Sequence, residues 1–246
     1  MRLTRGAGLA MLLRSFAVQA SWNYRTLIGT GFCFVLLPVL RAVYGGGEHL
    51  HDAVRRHSGI FNSHPYLVGI AAGAVARLEA EGAEPQLVER FKSAVRGSLG
   101  SLGDRLVWAG WRPVCALLGV AGALAGASWW LAALLFLVLY NAGHLVIRVG
   151  AFQLGLRYGR NVAEHLRTLP LDRVQRSLWH AGAFLVGVLA PLVAAGELLA
   201  DRLPIAWIFA GAVATAVGVR FGTAVRLPAV VVLMLGVVVA YALGGA

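Results

Sequence analysis

Apolar residues recur along this chain at helical spacing, and the runs lengthen toward the C-terminus. Leu9, Leu12, Leu13 and Phe16 share one face, with Arg14 and Gln19 off it, which predicts an amphipathic helix over residues 1–25 suited to a membrane interface. Residues 26–40 are apolar throughout but fall short of the about 20 residues needed for a full span. They carry Gly29, Gly31 and Pro38, so a broken or half-inserted helix is expected. A glycine turn at 45–47 leads to a polar helix at 48–57, and a second short apolar run, 66–76, ends at Arg77. Residues 79–84 read as an acidic connector. Residues 86–96 read as a surface helix, with Leu87, Val88, Phe91 and Val95 on one side and Glu89, Arg90 and Lys92 on the other.

A glycine-rich run at 97–104 then predicts a loop. Residues 113–147 are uncharged, with a break expected at 126–128, which allows a helical hairpin or two spans. A basic loop at 157–176 precedes three more apolar segments, 177–199, 204–219 and 227–243. Backbone groups in hydrocarbon must bond within their own segment, so these segments are helices. The expected fold is all-α: a polytopic integral membrane protein with short or re-entrant helices in the first half and several transmembrane helices in the second. The sequence divides at Arg112 into an interfacial region with polar turns, 1–112, and a transmembrane region, 113–246.

Composition narrows the class. Of 246 residues, 59% are hydrophobic and 13% charged, against about 25% charged in an ordinary soluble domain. With a mean hydropathy of +0.72, a soluble globule, a disordered chain and a collagen-like chain are all excluded. The 22 Lys+Arg against 11 Asp+Glu include a single lysine, Lys92. Arginines orient membrane proteins and meet anionic headgroups. They place 157–176 and the N-terminus in the cytoplasm, 201–203 outside, 220–226 inside and the C-terminus outside. No compact basic, aromatic-laced domain is visible, so no nucleic-acid partner is expected. Residues Arg14, Gln19, Ser21, Asn23 and Arg25 interrupt any signal-peptide core. Cys33 and Cys115 sit in apolar stretches as inert thiols.

Three polar groups interrupt this apolar background. In Gln19-Ala-Ser-Trp22-Asn23-Tyr-Arg25, Gln19 and Asn23 lie one helical turn apart beside two amphipathic rings. The segment reads either as an interfacial anchor or as a helix lining a polar cavity or partner groove. In Ile60-Phe-Asn62-Ser63-His64-Pro65, Pro65 biases His64 away from helix, giving a turn of neutral hydrogen-bonding groups. Such a turn is structural, or it belongs to a substrate or gating region. The third group is the glycine run Gly97 to Gly103-Asp104, followed by Trp108, Trp111, Arg112 and Pro113. It lacks the lysine of a phosphate-binding loop. Asp104 needs a partner at membrane depth, which Arg105 or Arg112 would supply, so a structural ion pair and a transport role are both open.

In this order the three runs resemble the IID subunit of the mannose/fructose/sorbose-type sugar phosphotransferase system. Ser21-Trp22-Asn23-Tyr24 with Gly31-Phe32 matches the family's opening segment, and Asn62-Ser63-His64-Pro65 its Asn-Thr-His-Pro turn. Gly97, Leu99, Gly103, Asp104, Trp108, Arg112 and Pro113 stand in the places of its glycine loop, and Asn141, Arg148, Gly155 and Tyr158-Gly159 also fit. Ser98 and Ser101 replace a loop proline and glycine. The polar insertion usual before the last span is largely missing, since 177–246 is almost all apolar.

The resemblance implies a transport subunit in the bacterial inner membrane, with no catalytic residue, metal or cofactor of its own. It implies pairing with a IIC subunit to move a hexose-type sugar, phosphoryl transfer on IIA and IIB phosphocarrier proteins, and an oligomer of IIC–IID pairs. Asn62, Ser63, His64 and Asp104 become candidates for sugar binding or gating. Gln19, Trp22, Asn23, Gly97, Gly103 and Arg112 become candidates for structure or partner contact. A regulatory or scaffold protein derived from the same fold is the second reading. An intramembrane enzyme built on His64, His144, His180 and Asp104 matches no metal-ligand spacing.

Overall fold

The computed structural model describes residues 5–201, whose regular elements are all helical. The apolar segments at 204–219 and 227–243, and the predicted side of the C-terminus, lie outside the described residues. Two compact units share the described chain: residues 5–112 with 137–176, and residues 113–136 with 177–201.

The first unit opens with α1, Arg5–Arg14, and a 3-10 turn, Ser15–Ala17. Met11, Ser15 and Val18 are buried, while Leu9, Leu13 and Phe16 stay at least half exposed, leaving an apolar stripe outside the unit. The helix does not run to Arg25 as predicted. Residues 18–28 form turns, because Asn23 commits its amide locally: Oδ1 accepts from the Arg25 and Thr26 N–H groups at 3.0 and 2.9 Å. Asparagine holds a turn this way in preference to a helix.

The 26–40 segment forms an unbroken helix, α2, Gly29–Tyr44, despite Pro38. Proline removes the hydrogen bond to the carbonyl four residues back, here that of Phe34. Arg14 Nη1 donates to that oxygen at 3.1 Å and stacks on the Phe34 ring, repairing the ladder and tying α1 to α2.

The polar helix α3, Gly47–His57, and the apolar helix α4, Val68–Ala80, follow. Every residue of α4 from Val68 to Ala76 is buried. Glu79, expected in an exposed connector, is also buried on α4 at 1% exposure. Next comes α5, Pro85–Gly103, which buries Val88, Phe91, Val95 and Leu99 and, against expectation, Lys92.

The glycine run is therefore helix, not loop. Glycine weakens a helix interior by about 1 kcal/mol per position, and burial of that apolar face offsets the loss. A π-helical segment, Asp104–Trp111, joins α5 to α6, Arg112–Leu124. The expected break falls at Gly126 (φ +93°), before α7, Trp129–Tyr158. The predicted basic loop is also mostly helical: a 3-10 turn, Gly159–Asn161, then α8, Val162–Thr168, and α9, Leu171–Asp201.

Two helical stretches, Pro85–Leu124 and Trp129–Thr168, are long and apolar enough to cross a membrane at 40 residues each. In the second unit, α6 meets the start of α7 through small residues, a Cβ on Gly119 falling 3.1 Å from the Ala132 carbonyl oxygen.

Within the first unit, α4 and α7 touch backbone to backbone. A Cβ on Gly69 would stand 2.9 Å from the Phe152 nitrogen, one on Gly73 2.7 Å from the Leu156 nitrogen, and one on Gly155 would run into the Ile70 carbonyl. This is the small-xxx-small contact that membrane helices use in place of a hydrophobic driving force. Gly73→Leu is expected to force α4 from α7 at a cost of about 2 kcal/mol, read as a fall in thermal midpoint of the purified protein. The same change at Gly97, where nothing lies within 4 Å, should leave the midpoint nearly unmoved.

Candidate functional site

The three polar runs, separate in sequence, meet around residues 60–67. Leu27, at φ +56°, bridges Asn23 on one side and Phe61 on the other. Ile28 N–H donates to Phe61 O at 3.1 Å, and Phe61 N–H to Thr26 O at 3.2 Å. The first run is thereby stitched to the second by backbone alone. Its side chains play smaller parts: Gln19 is exposed, Asn23 serves its own turn, and Trp22 packs edge-on against Tyr24 at 4.8 Å.

His64 sits at the centre. Its carbonyl accepts from Leu67 and Val68 N–H at 2.9 and 3.0 Å, starting α4, and its Nδ1 accepts from Tyr66 N–H at 3.2 Å. Use of Nδ1 as an acceptor puts the neutral ring's proton on Nε2. That Nε2 is buried with no hydrogen-bond partner among the described residues. Gly103 lies so close that a Cβ there would overlap the His64 ring, and Trp108 packs edge-on at 4.9 Å. The glycine run thus contributes one close approach, Gly103, whereas Gly97 faces open space. Ser63 is buried and donates to the His64 carbonyl at 3.2 Å; Asn62 is exposed.

Asp104 and Arg112 are both exposed, and no ion pair joins Asp104 to Arg105 or Arg112. The expected pairing is absent: exposed charges gain little from one another, and each side chain is left free to face its surroundings.

Behind His64 lies a layer the sequence reading did not assemble. Tyr66 stacks on His144 at 3.8 Å and shares a 2.6 Å hydrogen bond with the Tyr140 hydroxyl. Arg148, 3% exposed, donates to Ser15 Oγ and O at 2.8 and 2.6 Å and to His144 Nε2 at 2.9 Å, with its guanidinium over the Phe16 ring. It is a buried cation with no carboxylate beside it among the described residues. Only its uncharged acceptors and two rings compensate it. Burial, reinforced by the charges of Arg148 and His144, pushes the His64 imidazole down to about 4, so the ring is neutral at physiological pH.

Residues 2–198 match the family described as "PTS system mannose/fructose/sorbose family IID component". The chain belongs to this family. It is 33% identical over 193 residues to the sorbose-specific EIID component of Klebsiella pneumoniae, covering 76% of this chain and 70% of the relative. It is 32% identical to the fructose permease IID component of Bacillus subtilis, again over 76% of this chain and 70% of the relative. A cryo-EM structure of the mannose transporter ManYZ with microcin E492 superposes with a TM-score of 0.61 at 31% identity, over 76% of this chain and 70% of that one. A second membrane-protein structure shares the fold at a TM-score of 0.69 and 24% identity, over 89% of this chain and 96% of that chain. This IID component is therefore an all-helical membrane transport subunit. Nothing in these relatives favours the regulatory reading.

A second buried cluster also escaped the sequence reading. Glu79 on α4 receives Arg56 Nη2 and His57 Nε2, each at 2.8 Å, and the Tyr44 hydroxyl. Lys92 Nζ binds the Arg56 carbonyl at 2.9 Å. Burial alone would raise the Glu79 carboxyl, but hydrogen bonds from His57, Tyr44 and Arg56 outweigh it and hold the group down to about 2. The signal was present: an acid at the end of a helix whose first nine residues are all apolar is carried into the core with them unless it falls on the one face that Arg77 keeps in solvent, and a buried acid must be paired.

Glu79→Ala, which leaves the half-buried Arg56 guanidinium and the buried His57 ring without their carboxylate, is expected to cost about 3 kcal/mol in chemical unfolding. Arg55→Ala, at the exposed Arg55–Asp52 pair, should leave unfolding unchanged. Acid should act in two windows. His64 titrates lower in the folded protein than its ordinary 6.5, so the unfolded chain takes up the proton first. Stability is then full above pH 6.5 and falls toward pH 4. The contribution of Glu79 is lost lower, from about 4.5 toward 2. A thermal-midpoint profile should be shallower between pH 6.5 and 4 in His64→Asn than in the parent.

Proposed function

We propose that this IID component pairs with a IIC membrane subunit to form the translocation unit for a hexose-type sugar, and that IIA and IIB phosphocarriers phosphorylate that sugar. The chain lies in the bacterial inner membrane with the arginine-rich 157–176 stretch and the N-terminus in the cytoplasm, the C-terminus outside, and IIC–IID pairs assembled into a larger oligomer. The mannose, fructose and sorbose permeases to which it is similar support this reading, as does the chemistry of its polar turn.

The observation that carries the site is His64 Nε2, a buried donor with no partner among the described residues. An unpaired buried donor is costly unless something accepts from it in the working state. A sugar hydroxyl, neutral and able to accept, fits a ring that is itself neutral at pH 7. Exposed Asn62 adds an amide, buried Ser63 holds the turn, and exposed Asp104 offers an acceptor to a hydroxyl or to the partner. Gly103 and Trp108 fix the ring. Gln19, Trp22, Asn23, Gly97 and Arg112 act on structure and partner contact.

Sugar uptake by cells expressing the chain with its IIC partner tests this. His64→Asn keeps an acceptor near the position of Nδ1, and so the helix start, but removes the distal donor. It is expected to assemble normally and to lower uptake roughly tenfold, the worth of one hydrogen bond. His64→Gln, which reaches farther, should retain more activity. Unchanged uptake in His64→Asn, Asn62→Ala and Asp104→Ala alike would remove the site assignment.

A further inference from the structure

Where α4 ends and α7 gives way to the 3-10 turn lies a cavity of about 460 Å3 whose lining includes no residue of the polar turn. Its lining includes the apolar Leu78, Ala83 and Leu87. It also includes Arg77, Tyr158, Arg160 and Asn161, with Glu81 the one carboxylate of the lining. Glu81 is already committed, accepting from Arg77 Nε at 2.7 Å. Arg77 Nη1 donates to the Arg157 carbonyl, which leaves Nη2 without a hydrogen bond among the described residues. Arg160 and Asn161 are exposed, and their side chains form no hydrogen bond among the described residues.

The backbone is shaped to bring these groups together. Gly159 adopts φ +53°, and a Cβ there would approach Arg77 Cδ to 3.0 Å, so the turn that presents Arg160 and Asn161 runs directly over Arg77. Tyr158 is held by stacking on His165 at 3.8 Å. The cavity lining thus combines unspent guanidinium donors of Arg77 and Arg160 with apolar side chains. A neutral sugar would leave that charge unanswered, whereas a phosphoryl group offers several anionic oxygens to guanidinium forks. The position agrees: the cavity lies near the end of the apolar stretch Trp129–Thr168, where the chain turns arginine-rich.

We propose that this cavity binds a phosphoryl group attached to a less polar body, supplied by an anionic phospholipid headgroup or by a soluble phosphate ester. The assignment is independent of the His64 site. Retention of phosphatidylglycerol over phosphatidylcholine by the purified full-length chain with its IIC partner, followed by native mass spectrometry, tests it. Arg160→Gln, which breaks no internal bond, should reduce retention about fivefold. Arg77→Gln should do the same, and Arg55→Gln, at an exposed site outside the cavity, should not. Excess inorganic phosphate displaces the lipid if the site accepts soluble phosphate and leaves it bound if the site requires the lipid. If Arg160→Gln retains lipid like the parent and does not alter phosphate binding, or if Arg55→Gln loses as much, the proposal is overturned. Sugar uptake by Arg160→Gln, with His64 intact, separates a failure here from a failure of the transport reading.

Discussion

A carboxylate removed from solvent requires charge and hydrogen bonds supplied by protein, and Glu79 draws three neighbouring elements around itself. Tyr44 closes from the end of α2, and Arg56 and His57 from the end of α3, while Lys92 of α5 binds the Arg56 carbonyl. Four helices whose apolar faces would pack in several rotations are thereby fixed in one. An isolated buried ion pair adds little net stability over apolar packing. Its effect here is orientation: with Glu79 satisfied, α4 presents Gly69 and Gly73 to Gly155 on α7, and the two backbones close to contact.

That contact sets the place of the polar turn. The His64 carbonyl accepts from the first N–H of α4 and its ring contacts Gly103 and Trp108, while Tyr66 just beyond it stacks on His144 of α7. A helix held rigidly by its glycines keeps these aromatic groups layered, and the layer shelters Arg148. The site residues are thus positioned by backbone proximity and ring packing, with few direct side-chain hydrogen bonds among them. This leaves donors such as His64 Nε2 available for a ligand.

The two arginine environments show how charge is used differently in one chain. Arg148 is enclosed by neutral acceptors and rings and ties the N-terminal turn to α7. Arg160 is exposed beside a cavity with no acceptor of its own among the described residues. The first stabilises a core; the second is free to meet an anion.

Among the described residues, the apolar runs, their break at Gly126 and the three polar motifs in their order were legible from the chain, because hydrophobic period and family-specific residue types are local properties. That sufficed for the fold class and the IID family. The exposed positions of Asp104 and Arg112, the helical course of the glycine run and the pairing of Glu79 were not legible. Each depends on what a side chain meets across a helix interface. Gly97 and Gly103 stand in the same run, yet only Gly103 meets His64, and no one-dimensional pattern separates them. Sequence determined which segments leave water. Tertiary structure alone decided which polar groups left with them and who satisfies each, because partners for buried charge come from residues distant in the chain.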